Sequence, residues 1–123
     1  METFATLLAE GITNGPTFLT LKNGARIFLS ASVALNATIG DFATIGSHAT
    51  ILDRATVGDW ATVGGNATVG DWAKVGCYAV VGNYAVVGAG ATVGNCATIG
   101  AGAEIRAGAV VGNYVTVGDD VKF

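Results

Sequence analysis

The chain carries one histidine, His48, in the stretch IGSHAT. A neutral imidazole takes up a proton near neutral pH, so His48 is the residue best suited to work as a general base. Cys77 and Cys96 are the two thiols. A structural zinc site takes about four ligands at suitable spacing, and two cysteines with one histidine leave it short. No metal and no resident cofactor is therefore expected. Two cysteines are also too few for a disulfide framework, and both are read as free thiols. The stretch GAGATVG, Gly88 to Gly94, looks like a dinucleotide fingerprint. Its spacing is GxGxxxG rather than GxGxxG, no helix follows it, and its glycines belong to a longer register, so that assignment fails.

The longer register is what must position these residues. ATVGDWATVGGNATVGDW, residues 55 to 72, is three six-residue blocks, each opening Ala-Thr-Val-Gly and closing on two variable residues. Sixteen consecutive positions from Ile27 to Val117, stepping by six, are Ile or Val. Two residues before them stands Ala at every sixth position from Ala25 to Ala109, until Val115 and Val121 take over. The residue after the Ile or Val is Gly in twelve of fourteen blocks between Gly40 and Gly118, with Leu52 and Arg106 the exceptions. Such a period does not map onto the 3.6 residues of a helical turn.

Within a block, the Ala and the branched residue are two apart, so in a strand they point the same way while the Thr between them points out. The two free positions must then turn the chain. Asn36, Asn66, Gly90, Gly102 and Gly108 at the second free position suit a left-handed backbone there; aromatic residues such as Trp60 and Tyr78 fit it less well. A four-residue strand cannot bury an apolar face by itself, so successive blocks must share an interior and coils must stack on coils. With 19 glycines, one proline, 51% hydrophobic and 12% charged residues, the composition suits a repeated backbone shape.

The same composition excludes several functions. A net charge of -3 without any cluster of Lys and Arg argues against nucleic acid, which needs a basic stripe to replace phosphate counterions. Gly, Asp or Asn returns too often to allow an apolar run of about 18 residues, so no membrane span is expected. The N-terminus lacks the basic and apolar regions of a secretory signal, which makes the cytoplasm the default compartment.

ATIGDFATIGSHATILDRATVGDW resembles the hexapeptide-repeat superfamily, and the likeness covers residues 25 to 121. It implies an all-β, left-handed parallel β-helix, a three-sided solenoid with three hexads to each coil. It further implies acyl transfer: such proteins are typically trimeric acyltransferases with a catalytic histidine and an acyl donor lying along the groove between adjacent prisms. On that pattern His48 is the candidate base. The hexads run from Ala25 to Phe123 without an inserted loop, and no C-terminal helix follows. Carbonic anhydrases of the same fold use three histidines around zinc, which one histidine cannot supply.

With three hexads to a coil, the corner residues sort into columns 18 apart. One reads Phe42, Trp60, Tyr78, Cys96, Tyr114. Its four aromatics form either a stack that stabilises the solenoid or an adhesive edge for a neighbouring subunit or a sugar chain. The outward positions sort into faces. Thr44, Thr62, Val80, Thr98 and Thr116, beside glycines, make one that carries no charge after Arg26. Such a face permits close lateral packing. Paired Thr-x-Thr rows are the mark of ice-binding solenoids, but here Gly replaces the second Thr.

Residues 1-18 are read as an N-terminal capping segment, a short helix or turn with Phe4, Leu7 and Leu8 on one side, and residues 19-123 as the solenoid, whose first block survives only as Leu19, Leu21 and Gly24. At the other end Val121 and Phe123 stand in the core register and leave an apolar edge with unpaired backbone groups. The partner expected is a second copy of this chain. The reading placed first is accordingly a structural, non-enzymatic, self-associating subunit of a homo-oligomer or filament, joined through Val121, Phe123 and the Thr/Val/Gly face. The alternative is a minimal acyltransferase-like enzyme using His48 at a subunit groove. A surface-binding solenoid for ice or carbohydrate comes third.

Overall fold

The computed structural model describes residues 3–14 and 17–123. From Ser32–Val33 to Thr116–Val117 the hexads form two-residue strands, each centred on the outward residue and the Ile or Val that follows it. Away from the two ends each pairs in parallel with the strands 18 residues before and after it, as Thr68 and Val69 do with Thr50 and Ile51 below and Val86 and Val87 above. Consecutive hexads therefore fall on three different sides, and every third one returns to the same side. The sheets contain eight, five and five strands, and the molecule is a left-handed parallel β-helix of triangular section.

The interior is the double column expected from the repeat. Ala25, Ala37 and every sixth residue to Ala103 are fully buried, and so, to within a few per cent, are Ile27 and the Ile/Val positions from Ile39 to Val117. Val33 and Ala109, near the two ends, are only partly covered. No polar or charged residue is buried among the described residues. Burying a Val or Ile contributes about 1.5 to 3 kcal/mol. This column therefore carries most of the driving force against chain entropy.

The corners supply the rest. In the corner at residues 58–61, Ala61 N–H donates to the Gly58 carbonyl (3.2 Å), and Trp60 N–H donates to the Asp41 carbonyl on the preceding coil (2.9 Å). Trp60 itself has φ 62°, and the same left-handed conformation is taken by Phe42, Trp72, Tyr78, Tyr84 and Tyr114. The expectation that aromatics suit this position poorly is corrected here. A left-handed L-residue costs roughly 1 to 2 kcal/mol, but the conformation aims its N–H at a carbonyl of the coil before, and ring stacking adds about 0.5 to 1.5 kcal/mol.

A second ladder runs beside it through the first corner position. Asp59, Asp71, Asn83, Asn95, Asn113 and Asp119 each accept, through Oδ1, the backbone N–H of the residue 18 places earlier, at 2.8 to 3.1 Å. The two positions free to vary thus stitch coil to coil. A charge-neutral or anionic acceptor there satisfies an N–H that the turn would leave unpaired.

At the N-terminus, helix α1 (Phe4–Glu10) lies over the first coil with Phe4 and Leu7 buried. Thr3 caps it by accepting from Thr6 N–H (3.3 Å). Two of the helix's early N–H groups, on Phe4 and Ala5, donate instead to the carbonyls of Ala37 and Leu35 on that coil, at 2.7 and 2.9 Å. The cap is therefore hydrogen-bonded to the coil as well as packed on it. The following segment departs from expectation. Leu19, Leu21 and Gly24 look like one more hexad, yet β1 (Ile12–Asn14), β2 (Phe18–Leu21) and β3 (Arg26–Phe28) form an antiparallel meander added to one sheet. Gly24 N–H donates to the Leu21 carbonyl (2.9 Å), so the chain reverses where a corner was expected.

Candidate functional site

His48 stands at the second position of its corner with φ 60° and an exposed side chain. Its N–H donates to Ser30 Oγ on the preceding coil (3.0 Å), and the neighbouring Ser47 carbonyl accepts from Asn66 N–H on the next (2.9 Å). Backbone bonds above and below therefore fix where the imidazole leaves the prism. The corner separates the face of Thr44 from the face that carries Thr50. A corner is convex, so one prism gives a substrate a single wall at His48.

The face beside it is built from one sheet. Thr44, Thr62, Val80, Thr98 and Thr116 occupy successive strands of one sheet. Thr44 is half-buried, the others are exposed, and Val80 keeps 40% of its surface. Arg26, the charge at its start, holds its guanidinium 5.8 Å from the ring centre of Phe18. Val121 and Phe123 are 44% and 43% exposed. They are not bare of partners, since Glu104 N–H donates to the Val121 carbonyl and Arg106 N–H to that of Phe123, both at 2.9 Å.

On the aromatic corner Phe42 and Trp60 stack at 4.6 Å with 14° between planes, and Trp60 and Tyr78 at 6.2 Å with 8°. The stack stops at Cys96, and Tyr114 beyond it is 79% exposed. Cys77 and Cys96 are free and half-buried. Their two coils are joined here by a backbone bond from Cys96 N–H to the Cys77 carbonyl (2.9 Å). The sequence sorts Arg54, Trp72, Gly90 and Gly108 into the third corner column but gives it no role; there the guanidinium of Arg54 lies over the ring of Trp72 at 5.1 Å. The 18-residue spacing of Arg54 and Trp72 was the available signal.

The sequence profile described as "Bacterial transferase hexapeptide (six repeats)" matches residues 36–71 and 73–107. The chain belongs to this family. No curated protein matches it in sequence. Among solved structures it is similar to a variant of perosamine N-acetyltransferase from Caulobacter crescentus, in which histidine is replaced by asparagine, in complex with CoA and GDP-perosamine. Identity is 27%, the TM-score is 0.59, and the match covers 80% of this chain and 51% of that one. It is also similar in fold to the acetyltransferase domain of PglB from Neisseria gonorrhoeae, at 16% identity and a TM-score of 0.50, over 79% of this chain and 50% of that one. The chain thus spans about half the length of the hexapeptide transferases it matches. Among the described residues no helix is long and apolar enough to cross a membrane.

Proposed function

We propose that this β-helix serves acyl transfer from a thioester donor, with His48 as general base in a groove completed by a neighbouring prism. Membership of a transferase family and the likeness to an N-acetyltransferase solved with CoA support this reading over a purely structural role. The observation that carries it is the placement of His48: its backbone is fixed by Ser30 and Asn66, its imidazole is exposed, and an uncharged face lies beside it. The acceptor's hydroxyl or amine attacks the thioester carbonyl, its proton passes to the neutral imidazole, the C–S bond breaks, and the imidazolium returns the proton to the departing thiolate. A convex corner needs a second wall for this. The Thr44, Thr62, Val80, Thr98 and Thr116 face is the surface on which a second copy of the chain would pack.

Acetyl-CoA is expected to raise the melting temperature in proportion to RT ln(1 + [L]/Kd). His48→Ala should leave the melting temperature of the free protein unchanged while lowering thiol release from acetyl-CoA by about 10² to 10⁴. A wild-type protein that neither binds nor cleaves acetyl-CoA would sink the reading.

A second reading, the structural self-associating subunit, is favoured by the exposure of Val80 and of the stacked Phe42, Trp60 and Tyr78. Apolar area of this kind marks a contact surface. Val80→Lys combined with Thr98→Lys should break a lateral oligomer, because four like charges would then face one another across a two-fold contact, and two would be buried in each contact of a ring. Sedimentation separates the readings. An oligomer that the lysines dissolve, with His48→Ala indifferent in every assay, supports structure alone, whereas a 12.2 kDa monomer at high concentration removes the lateral contact that both require.

A further inference from the structure

The corner carrying Arg54 and Trp72 differs from the other two. Trp72 is 62% exposed, and one face of its indole is covered by the Arg54 guanidinium from the preceding coil. Its other face looks toward the following coil, where the corner residue is Gly90, and the coil after that carries Gly108. Both glycines are left-handed, with φ 69° and 73°, and nothing stands within 4 Å of where a Cβ would lie on either. Arg106, exposed, stands over Gly88 two residues before the corner of Gly108, so the far side of this opening lies within the length of its side chain.

We propose that the opening between Trp72 and Arg106, over Gly90, binds a planar heteroaromatic ring of the nucleobase class. The aromatic corner of the same molecule gives the measure. There Trp60 fills one coil level between Phe42 and Tyr78, stacked on each, so a coil level in this fold has the height of one aromatic ring. At Gly90 that level is empty while its near wall, the indole, is held in place. A ring entering there stacks on Trp72 as Trp60 stacks on Phe42. It offers its other face to Arg106, and a guanidinium over a ring face is a favourable cation–π contact. A sugar ring has no π-face for that cation to meet. The inference concerns a different corner from His48 and does not rest on the acyl-transfer reading.

Adenosine monophosphate is the probe, followed by the indole N–H signals of Trp60 and Trp72 in a proton–nitrogen NMR spectrum and assigned with Trp60→Phe. The Trp72 signal is expected to move saturably while that of Trp60, enclosed between two rings, stays still. Ribose 5-phosphate, which has the phosphate and no base, should move neither. Gly90→Tyr fills the level with a residue type that the other corners already accept at the same φ, so it should keep the fold and abolish the shift. Arg106→Gly restores the residue usual at that register and should weaken binding several-fold. An unmoved Trp72 signal overturns the proposal, as does an equal response to ribose 5-phosphate. So does an adenosine monophosphate affinity unchanged in both Gly90→Tyr and Arg106→Gly; if Gly90→Tyr fails to fold, unchanged affinity in Arg106→Gly alone suffices.

Discussion

Val75→Asp is expected to lower the melting temperature by 10 °C or more, as an order-of-magnitude value for a domain of this size. Val75 is 1% exposed and sits in the middle of its sheet, paired with Val57 below and Val93 above. Everything within reach is the Ala and Ile/Val lining, and no polar residue is buried among the described residues to meet a carboxylate. An unpaired polar group in such surroundings costs about 2 to 7 kcal/mol, and a charge more unless it takes up a proton. Against a total stability of about 5 to 15 kcal/mol that is a large share. Thr62→Ser is the matched control, because Thr62 points outward from an exposed strand position and a surface change of this size stays within about 0.5 kcal/mol. Circular dichroism melts of the two variants decide the matter. Equal midpoints would mean that the Ile/Val column is not the core.

That column was readable because its cause is local and repeated. A residue that must point inward every sixth place leaves the same mark sixteen times, and no tertiary detail can blur it. The corner aromatics were misjudged for the opposite reason. Whether Trp60 tolerates a left-handed φ depends on the Asp41 carbonyl and the Phe42 ring, both on another coil, and propensity alone contains neither. The Asp and Asn ladder was hidden in the positions that look free. Asp59 and Asn95 vary in type but keep an acceptor two bonds from the Cβ, and only the stacking shows which N–H it serves. The antiparallel meander of β2 and β3 was taken for a hexad because Leu19, Leu21 and Gly24 keep the spacing while the Lys22-Asn23 turn between them reverses the chain. His48 was placed at a corner from spacing alone. The acyl-transfer proposal needs a second wall beside it, which one chain's sequence does not spell out.

The glycine column gives the other large effect, and here the same substitution should change sign along the molecule. Gly76→Ala is expected to destabilise by about 1 to 3 kcal/mol, the usual cost of forcing an extra carbon into a packed site. Gly112→Ala should be neutral or stabilise by about 0.4 to 1 kcal/mol through the lower entropy of its unfolded chain. Neither glycine has a positive φ, so backbone freedom does not separate them. Space does. A Cβ on Gly76 would stand 2.6 Å from the backbone nitrogen and Oδ1 of Asn95 and from the carbonyl carbon of Gly94, all on the next coil. Backbone cannot step aside as a flexible side chain does, so the coils must part. Parting them strains the bonds that join them there, Cys77 N–H to Asn95 Oδ1 and Cys96 N–H to the Cys77 carbonyl, both 2.9 Å. Over Gly112 the nearest atom is Cγ2 of Val115 at 3.5 Å, an ordinary contact. Urea midpoints for the pair test this. Equal shifts would mean that the column is kept for conformation and not for the close approach of coil on coil. Opposite shifts would identify Gly as the residue that sets how tightly the coils can stack, and with it the height of the coil level that the stacked aromatic corner uses.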